Sequence, residues 1–191
     1  MNSAQEINRL FAPPRVTVLG VGNVILRDEG FGVRVAEHLQ AHYQFPEEVQ
    51  ILDGGTLGME LLEFLTGTQC LLILDSIDGN KPAGTLFRFE NDDVLEHFQE
   101  KLSAHEVGIQ DVLASLATTG KSIPHVVVLG AQPYEIGAGV GLSPEMTALL
   151  PRIEEQALQE LTRWDVAYQE KAEQTTMNDR VVYEAFQERS R

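Results

Sequence analysis

The chain has 191 residues, 43% of them apolar, and 29 acidic against 14 basic residues give a formal net charge of −15. That length fills one core and is short for two, while the negative surplus opposes nucleic-acid backbones and anionic lipid and suits a cationic peptide or a metal ion. The first fifteen residues lack the apolar stretch of a secretory signal, no run approaches the roughly 18 residues of a membrane span, and the only cysteine, Cys70, has no partner within the chain. The expectation is a soluble cytoplasmic protein with no nucleic-acid or membrane partner, in which Cys70 is a small core residue.

In chain order, residues 1–15 read as an N-terminal extension. Val16 to Val21 is the first of four apolar, β-branched or Leu-rich runs that read as buried strands, the others being Val49 to Leu52, Leu71 to Leu74 and Val126 to Leu129. "FGVRVAEHLQAHY" carries Gly32, Val35, Ala36, Leu39 and Tyr43 at near-helical spacing, and "GMELLEFLTG" repeats the pattern briefly before Gly67. "GTLFRFE", Gly84 to Glu90, follows Leu74 too closely for a helical crossover and is expected to be antiparallel at or near an edge. "SAHEVGIQDVLASLATTG" has Ser103 and Glu106 in capping-box spacing, an apolar face of Ile109, Val112, Leu113 and Leu116, and Gly120 as its exit. "LSPEMTALLPRIEEQALQELTRW" opens with Ser143 as cap and Pro144 at the first helical position, then kinks or restarts at Pro151. The order predicts a single α/β domain over 16–165, a three-layer α/β/α arrangement around a mostly parallel mixed sheet. Residues 166–191 turn polar and read as an appended tail.

"VTVLGVGNVILRDEGFGVRVAEHL" opens like a dinucleotide-binding turn, strand then Gly20-x-Gly22 then helix, and the second strand ends in Asp53. Ile25 stands where the third glycine belongs, and Asp53 follows Gly20 by 33 residues rather than roughly 20. Asp28 and Glu29 would also meet a pyrophosphate with like charge in a partly desolvated crevice. The glycines are therefore read as turn residues that leave an acid over the carboxyl edge of the sheet. Taken alone, both acids could simply complement a helix N-terminus.

Open α/β sheets bind ligands beyond the carboxyl ends of their strands, and here those ends are acidic: Asp28 and Glu29, then "DGGT" from Asp53 to Thr56, then "DSID" from Asp75 to Asp78. Such crowding is costly unless a cation or a protonated carboxyl relieves it. His105, at a helix start that disfavours imidazolium, adds a nitrogen donor. Glu29, Asp75 and His105 form an O, O, N set acceptable to nickel, zinc, iron or manganese, with an open position for a substrate atom. "HLQAH", His38 and His42, has the i, i+4 spacing of zinc-peptidase helices but Leu39 where the catalytic Glu belongs, and is read as a solvated helix face. His125 at a strand's amino end and His97 on a polar stretch are read as structural.

The segments "LGVGNVILRDEGFGVRVAEHL", "ILDGGTLGMELL", "LLILDSID", "PAGTL", "SAHEVGIQDVLASL" and "VVVLGAQP" together resemble the maturation endopeptidases of [NiFe] hydrogenases, most closely those serving membrane-bound uptake hydrogenases. The resemblance covers roughly Val16 to Pro151. It implies a five-stranded sheet between helix layers, of the phosphorylase/hydrolase-like kind with one antiparallel strand. It also implies an aspartyl-type endopeptidase that trims the C-terminal extension of the nickel-loaded hydrogenase large-subunit precursor. The family's nickel-recognition positions fall on Glu29, Asp75 and His105, with nickel supplied by the substrate and no tightly held metal of the enzyme's own. The family's DGGT loop falls on Asp53, Gly54, Gly55 and Thr56. Asp53 is the candidate catalytic group, able to position or deprotonate water, and could equally be a turn residue. The large-subunit precursor is the expected partner of a monomer. The alternatives are a self-sufficient zinc metallopeptidase and a non-catalytic nickel-checking chaperone.

Overall fold

The structure is a computed structural model that describes residues 13–91, 93–94 and 104–171, with side chains excepted at 104–108. The chain lays down β1 (Val16–Val21), a 3-10 turn (Asp28–Gly30), α1 (Phe31–His42), β2 (Tyr43–Gln44), β3 (Val49–Gly55), α2 (Leu61–Leu65), β4 (Cys70–Ser76) and β5 (Leu86–Glu90). It continues with α3 (Ala104–Thr118), β6 (His125–Ala131), α4 (Pro144–Thr147), α5 (Leu150–Arg163) and β7 (Gln169–Glu170). The main sheet has the order β3-β1-β4-β6-β5. β3, β1, β4 and β6 are parallel, and β5 lies antiparallel to β6 at the edge, as its short link to β4 requires.

Burial explains the order. All six residues of β1 and the first six of β4 are buried, so these near-continuous apolar strands take the centre, where helices cover both faces. β3 and β5 are half-exposed along their length and take the edges. Successive side chains point to opposite faces. Val16, Val18, Leu72, Leu74, Val127 and Leu129 meet α1 and α5 in one core. Leu19, Val21, Leu71, Ile73, Val126 and Val128 meet α2 and α3 in the other. Each fully buried leucine or valine contributes roughly 1.5–3 kcal/mol relative to exposure, and the two cores fix the three layers. Cys70 lies in the first core at 5% exposure, where burial pushes its thiol up and keeps it inert.

Polar groups inside are paired. Thr17, fully buried, shares a hydrogen bond with Thr68 at 2.9 Å and accepts one from Gln50 Nε2 at 2.8 Å. Ser143 caps α4 by accepting from Met146 N–H at 3.2 Å, and α5 restarts with Pro151 in its first turn. The predicted face of α3, Ile109, Val112, Leu113 and Leu116, is buried. Its predicted capping box at Ser103 and Glu106, and His97, lie outside the described residues and side chains. Beyond Arg163, Val166 is buried and Gln169–Glu170 pairs antiparallel with Tyr43–Gln44, so described structure runs on to Lys171. No helix among the described residues is long and apolar enough to cross a membrane.

Candidate functional site

The strand order sets the crevice. From β1 the chain passes through α1 on one face to β3, then through α2 on the other face to β4, on the far side of β1. The connection leaving β1 runs toward the β3 edge and that leaving β4 toward the β5 edge, so between their carboxyl ends lies the switch point where such sheets bind ligands. Glu29 follows β1 in the 3-10 turn, and Asp75 is the penultimate residue of β4. The turn packs against β4.

Backbone approach brings these elements together. Gly22 adopts φ +129°, and a Cβ there would lie 1.9 Å from the carbonyl oxygen of Glu29. A Cβ on Gly32 would lie 1.9 Å from the carbonyl oxygen of Leu74, next to Asp75. The glycines of "GVGNVILRDEGFG" serve chain-to-chain contact: they seat the acid-bearing turn and the first turn of α1 on the ends of β1 and β4. Arg27, at φ 55° and ψ −118°, enters the turn in a sparsely populated conformation. It is held by its N–H to Gly139 O at 3.1 Å, with Gly139 N–H returning to Ile25 O at 2.9 Å.

The two acids of the turn part company. Asp28 is fully buried and its carboxylate accepts from Tyr134 N–H at 3.1 Å, Glu135 N–H at 2.9 Å, and Ser143 N–H and Oγ at 2.7 and 2.8 Å. It is a clamp between the turn and the β6–α4 loop, and it makes no cap bond to α1. Glu29 is half-buried, with Oε2 shielded from solvent. Asp75 is 6% exposed, and its Oδ1 accepts from Ser76 N–H at 2.7 Å. Asp78 is exposed and receives Gln132 Nε2 at 3.0 Å, so it ties one loop to another. α3 leads into the amino end of β6, which puts its first turn, with His105 as second residue, at the carboxyl rim; the His105 side chain lies outside the described set.

The Asp53–Thr56 loop ends β3 beside this crevice. Asp53 pairs in register with Gly20, a bulge follows, and Gly22 N–H donates to Gly55 O at 2.9 Å. Asp53 and Thr56 are exposed, Gly54 is buried, and Gly55 takes φ +45° to turn the chain. The glycine turn after β1, whose Gly22 packs against the Glu29 carbonyl, is therefore joined to the DGGT loop by a backbone hydrogen bond.

A second cluster lies at the other end of α1. His38 Nδ1 is 2.6 Å and His42 Nδ1 3.6 Å from Glu154 Oε2 on α5. The two imidazoles are 39% and 48% exposed, as the reading of a solvated face has them, but they also meet a carboxylate 13% exposed, which lies 116 residues from His38 and gave no local signal.

The family model described as Hydrogenase maturation protease (HycI) matches residues 33–160. The chain belongs to the hydrogenase maturation protease family. The hydrogenase 2 maturation protease of Escherichia coli K12 is 40% identical over 145 residues, 75% of this chain and 88% of that one. The hydrogenase expression/formation protein HupD of Thiocapsa roseopersicina is 37% identical over 164 residues, 85% and 74% of the two chains. Among solved structures, the hydrogenase maturating endopeptidase HybD from E. coli superposes with a TM-score of 0.80 at 37% identity, covering 82% of this chain and 98% of that one. This maturation protease is thus a peptide-bond hydrolase, and its five-stranded, mostly parallel sheet with one antiparallel strand is the family fold.

Proposed function

We propose that this maturation protease removes the C-terminal extension of the nickel-loaded large-subunit precursor of a [NiFe] hydrogenase, of the uptake type, and reads the substrate's own nickel. The observation that carries the reading is the convergence of the Glu29 turn, the Asp75 strand end and the DGGT loop on one rim: the turn packs against β4, and Gly22 N–H, just after β1, donates to Gly55 O at 2.9 Å.

Glu29 and Asp75 supply hard oxygen donors and His105 an imidazole, a mixed set that suits a borderline divalent ion. The precursor brings the nickel, these three residues complete its coordination, and an empty precursor lacks the docking point. Metal docking places the scissile peptide along the Asp53–Thr56 loop. There Asp53, exposed at the strand end, orients a water and takes its proton as that water attacks the carbonyl carbon. The carbonyl oxygen gains charge and is stabilised by backbone N–H groups or the ion, and as the tetrahedral species collapses the C–N bond breaks and Asp53 returns its proton to the leaving amine. The excess of acidic residues favours encounter with a basic substrate segment, through association rate more than affinity. The enzyme acts as a cytoplasmic monomer and retains no metal of its own.

The test is incubation of the enzyme with nickel-loaded and nickel-free precursor, read by intact mass. Truncation of the loaded form alone is expected. Equal truncation of both removes metal-gated recognition, and binding of loaded precursor without any change in its mass favours a chaperone.

A further inference from the structure

α1 carries a second group of metal-type donors, at the end remote from the crevice. His38 and His42 are one helical turn apart on the same face, their rings in edge-to-face contact with centroids 4.0 Å apart. Both Nδ1 atoms point at Glu154 Oε2, at 2.6 and 3.6 Å. One ligand atom from each of the three residues lies within 4.8 Å of the others, the one such group among the described residues. Two donors bound to a tetrahedral ion at about 2.0 Å stand about 3.3 Å apart, a spacing bracketed by the two nitrogen–oxygen distances here.

The carboxylate is also held in orientation. Tyr43 donates its hydroxyl to Glu154 Oε1 at 3.0 Å, which leaves Oε2 turned toward the imidazoles. Tyr43 is fixed in turn by its pairing with Glu170 and by Tyr168, whose ring meets its own edge-on at 5.4 Å. Metal ligands typically have such a hydrogen-bonded outer shell. The histidines open onto a cleft also lined by Arg34, Leu142 and Thr147, which provides access for an ion and a remaining position for water.

From this geometry we infer that His38, His42 and Glu154 form a binding site for a borderline divalent transition ion such as Zn2+ or Ni2+, bridging α1 and α5 and separate from the crevice. Two imidazole nitrogens and one carboxylate oxygen exclude a preference for Mg2+ or Ca2+. His38 lies seven residues beyond Phe31, the first residue of α1, about 10 Å along the helix axis, and Glu29 precedes that helix, so the two sets do not share an ion. The inference does not depend on the nickel reading of the crevice.

The experiment titrates the full chain carrying E29Q and D75N, which removes the crevice acids, with Zn2+ alone by calorimetry and with Co2+ by visible absorption. One equivalent of Zn2+ and the intense bands of four-coordinate Co2+ are expected, with a rise in Tm as the ion ties two helices of the native state. H42A, at an exposed position and checked for a native far-UV circular dichroism spectrum, is expected to weaken binding at least as much as the loss of an outer-shell partner, and Y43F by about 10-fold. H38A and E154Q abolish the Co2+ bands. Absence of Zn2+ binding in the E29Q/D75N chain, or affinity unchanged by H42A, overturns the inference.

Discussion

Asp28 and Ser143, 115 residues apart in the chain, are joined by two hydrogen bonds: the Asp28 carboxylate receives both the N–H and the hydroxyl of Ser143, at 2.7 and 2.8 Å. Ser143 Oγ in turn accepts from Met146 N–H at 3.2 Å, so the residue next to Glu29 is coupled to the cap of α4. Asp28→Asn replaces an acceptor oxygen with an amide that faces N–H donors. Charge-assisted bonds of this kind contribute about 1.5–3 kcal/mol each, and the variant is expected to lose about 3 kcal/mol in urea unfolding. Its activity falls further than its stability does under native conditions, because the Glu29 turn loosens; activity equal to wild type in the folded variant would show that the clamp does not position Glu29.

Gly22→Ala places a methyl 1.9 Å from the Glu29 carbonyl oxygen at φ +129°, so the turn must move by more than an ångström. Displacement on that scale costs about 100-fold in rate. The expected result is a drop of that order in kcat/KM on loaded precursor with the two cores intact by near-UV circular dichroism. A fully active Gly22→Ala enzyme would detach the glycine turn from the site.

Asp53→Asn distinguishes base from turn residue. Loss of a general base lowers kcat by about 100- to 10,000-fold while loaded precursor still binds, measured by co-elution of the uncleaved complex. An unchanged kcat assigns Asp53 to shaping the Asp53–Thr56 loop.

Arg88 on β5 meets Glu160 on α5 through two bonds, Nε to Oε1 at 2.8 Å and Nη2 to Oε2 at 3.1 Å, and Glu160 is 3% exposed. Burial alone pushes the Glu160 carboxyl up, but its bonds and charge contact with Arg88, with help from Arg163, hold it below the ordinary range. A lowered folded-state pKa contributes stability that is present above the unfolded value of about 4.3 and is lost as pH falls through the folded value. The urea midpoint of the wild type is therefore expected to fall on acidification below about pH 4, more steeply than that of Glu160→Gln. Arg88→Met, which strands a buried carboxylate on Arg163 alone, is expected to cost about 3 kcal/mol at neutral pH; parallel acid profiles for wild type and Glu160→Gln would remove the pair from that account.

The local patterns were sufficient for the scaffold. Val16–Val21 is bounded in the structure as its apolar run predicts, the antiparallel edge placement of Leu86–Glu90 follows from a short connection, and Pro151 restarts the helix after Ser143 and Pro144 open one. The strand ends were legible too, which is why Glu29, Asp75 and the DGGT loop stand out before any coordinates do. The division of labour between Asp28 and Glu29 was not legible, since Asp28's partners come from residues 134–143 and only tertiary packing brings them near. Glu154 likewise reaches His38 across 116 residues. The two-residue strands β2 and β7 are too short to carry a periodic signal.

The β2–β7 ribbon has a practical consequence. Lys171 N–H donates to His42 O at 2.7 Å and its Nζ to Gln40 O at 2.5 Å, so Lys171 is seated at the far end of α1, about 18 Å of helix away from the acidic rim. A fluorophore coupled at position 170, exposed on β7, would report from that end of α1 while leaving the carboxyl rim of the sheet unlabelled.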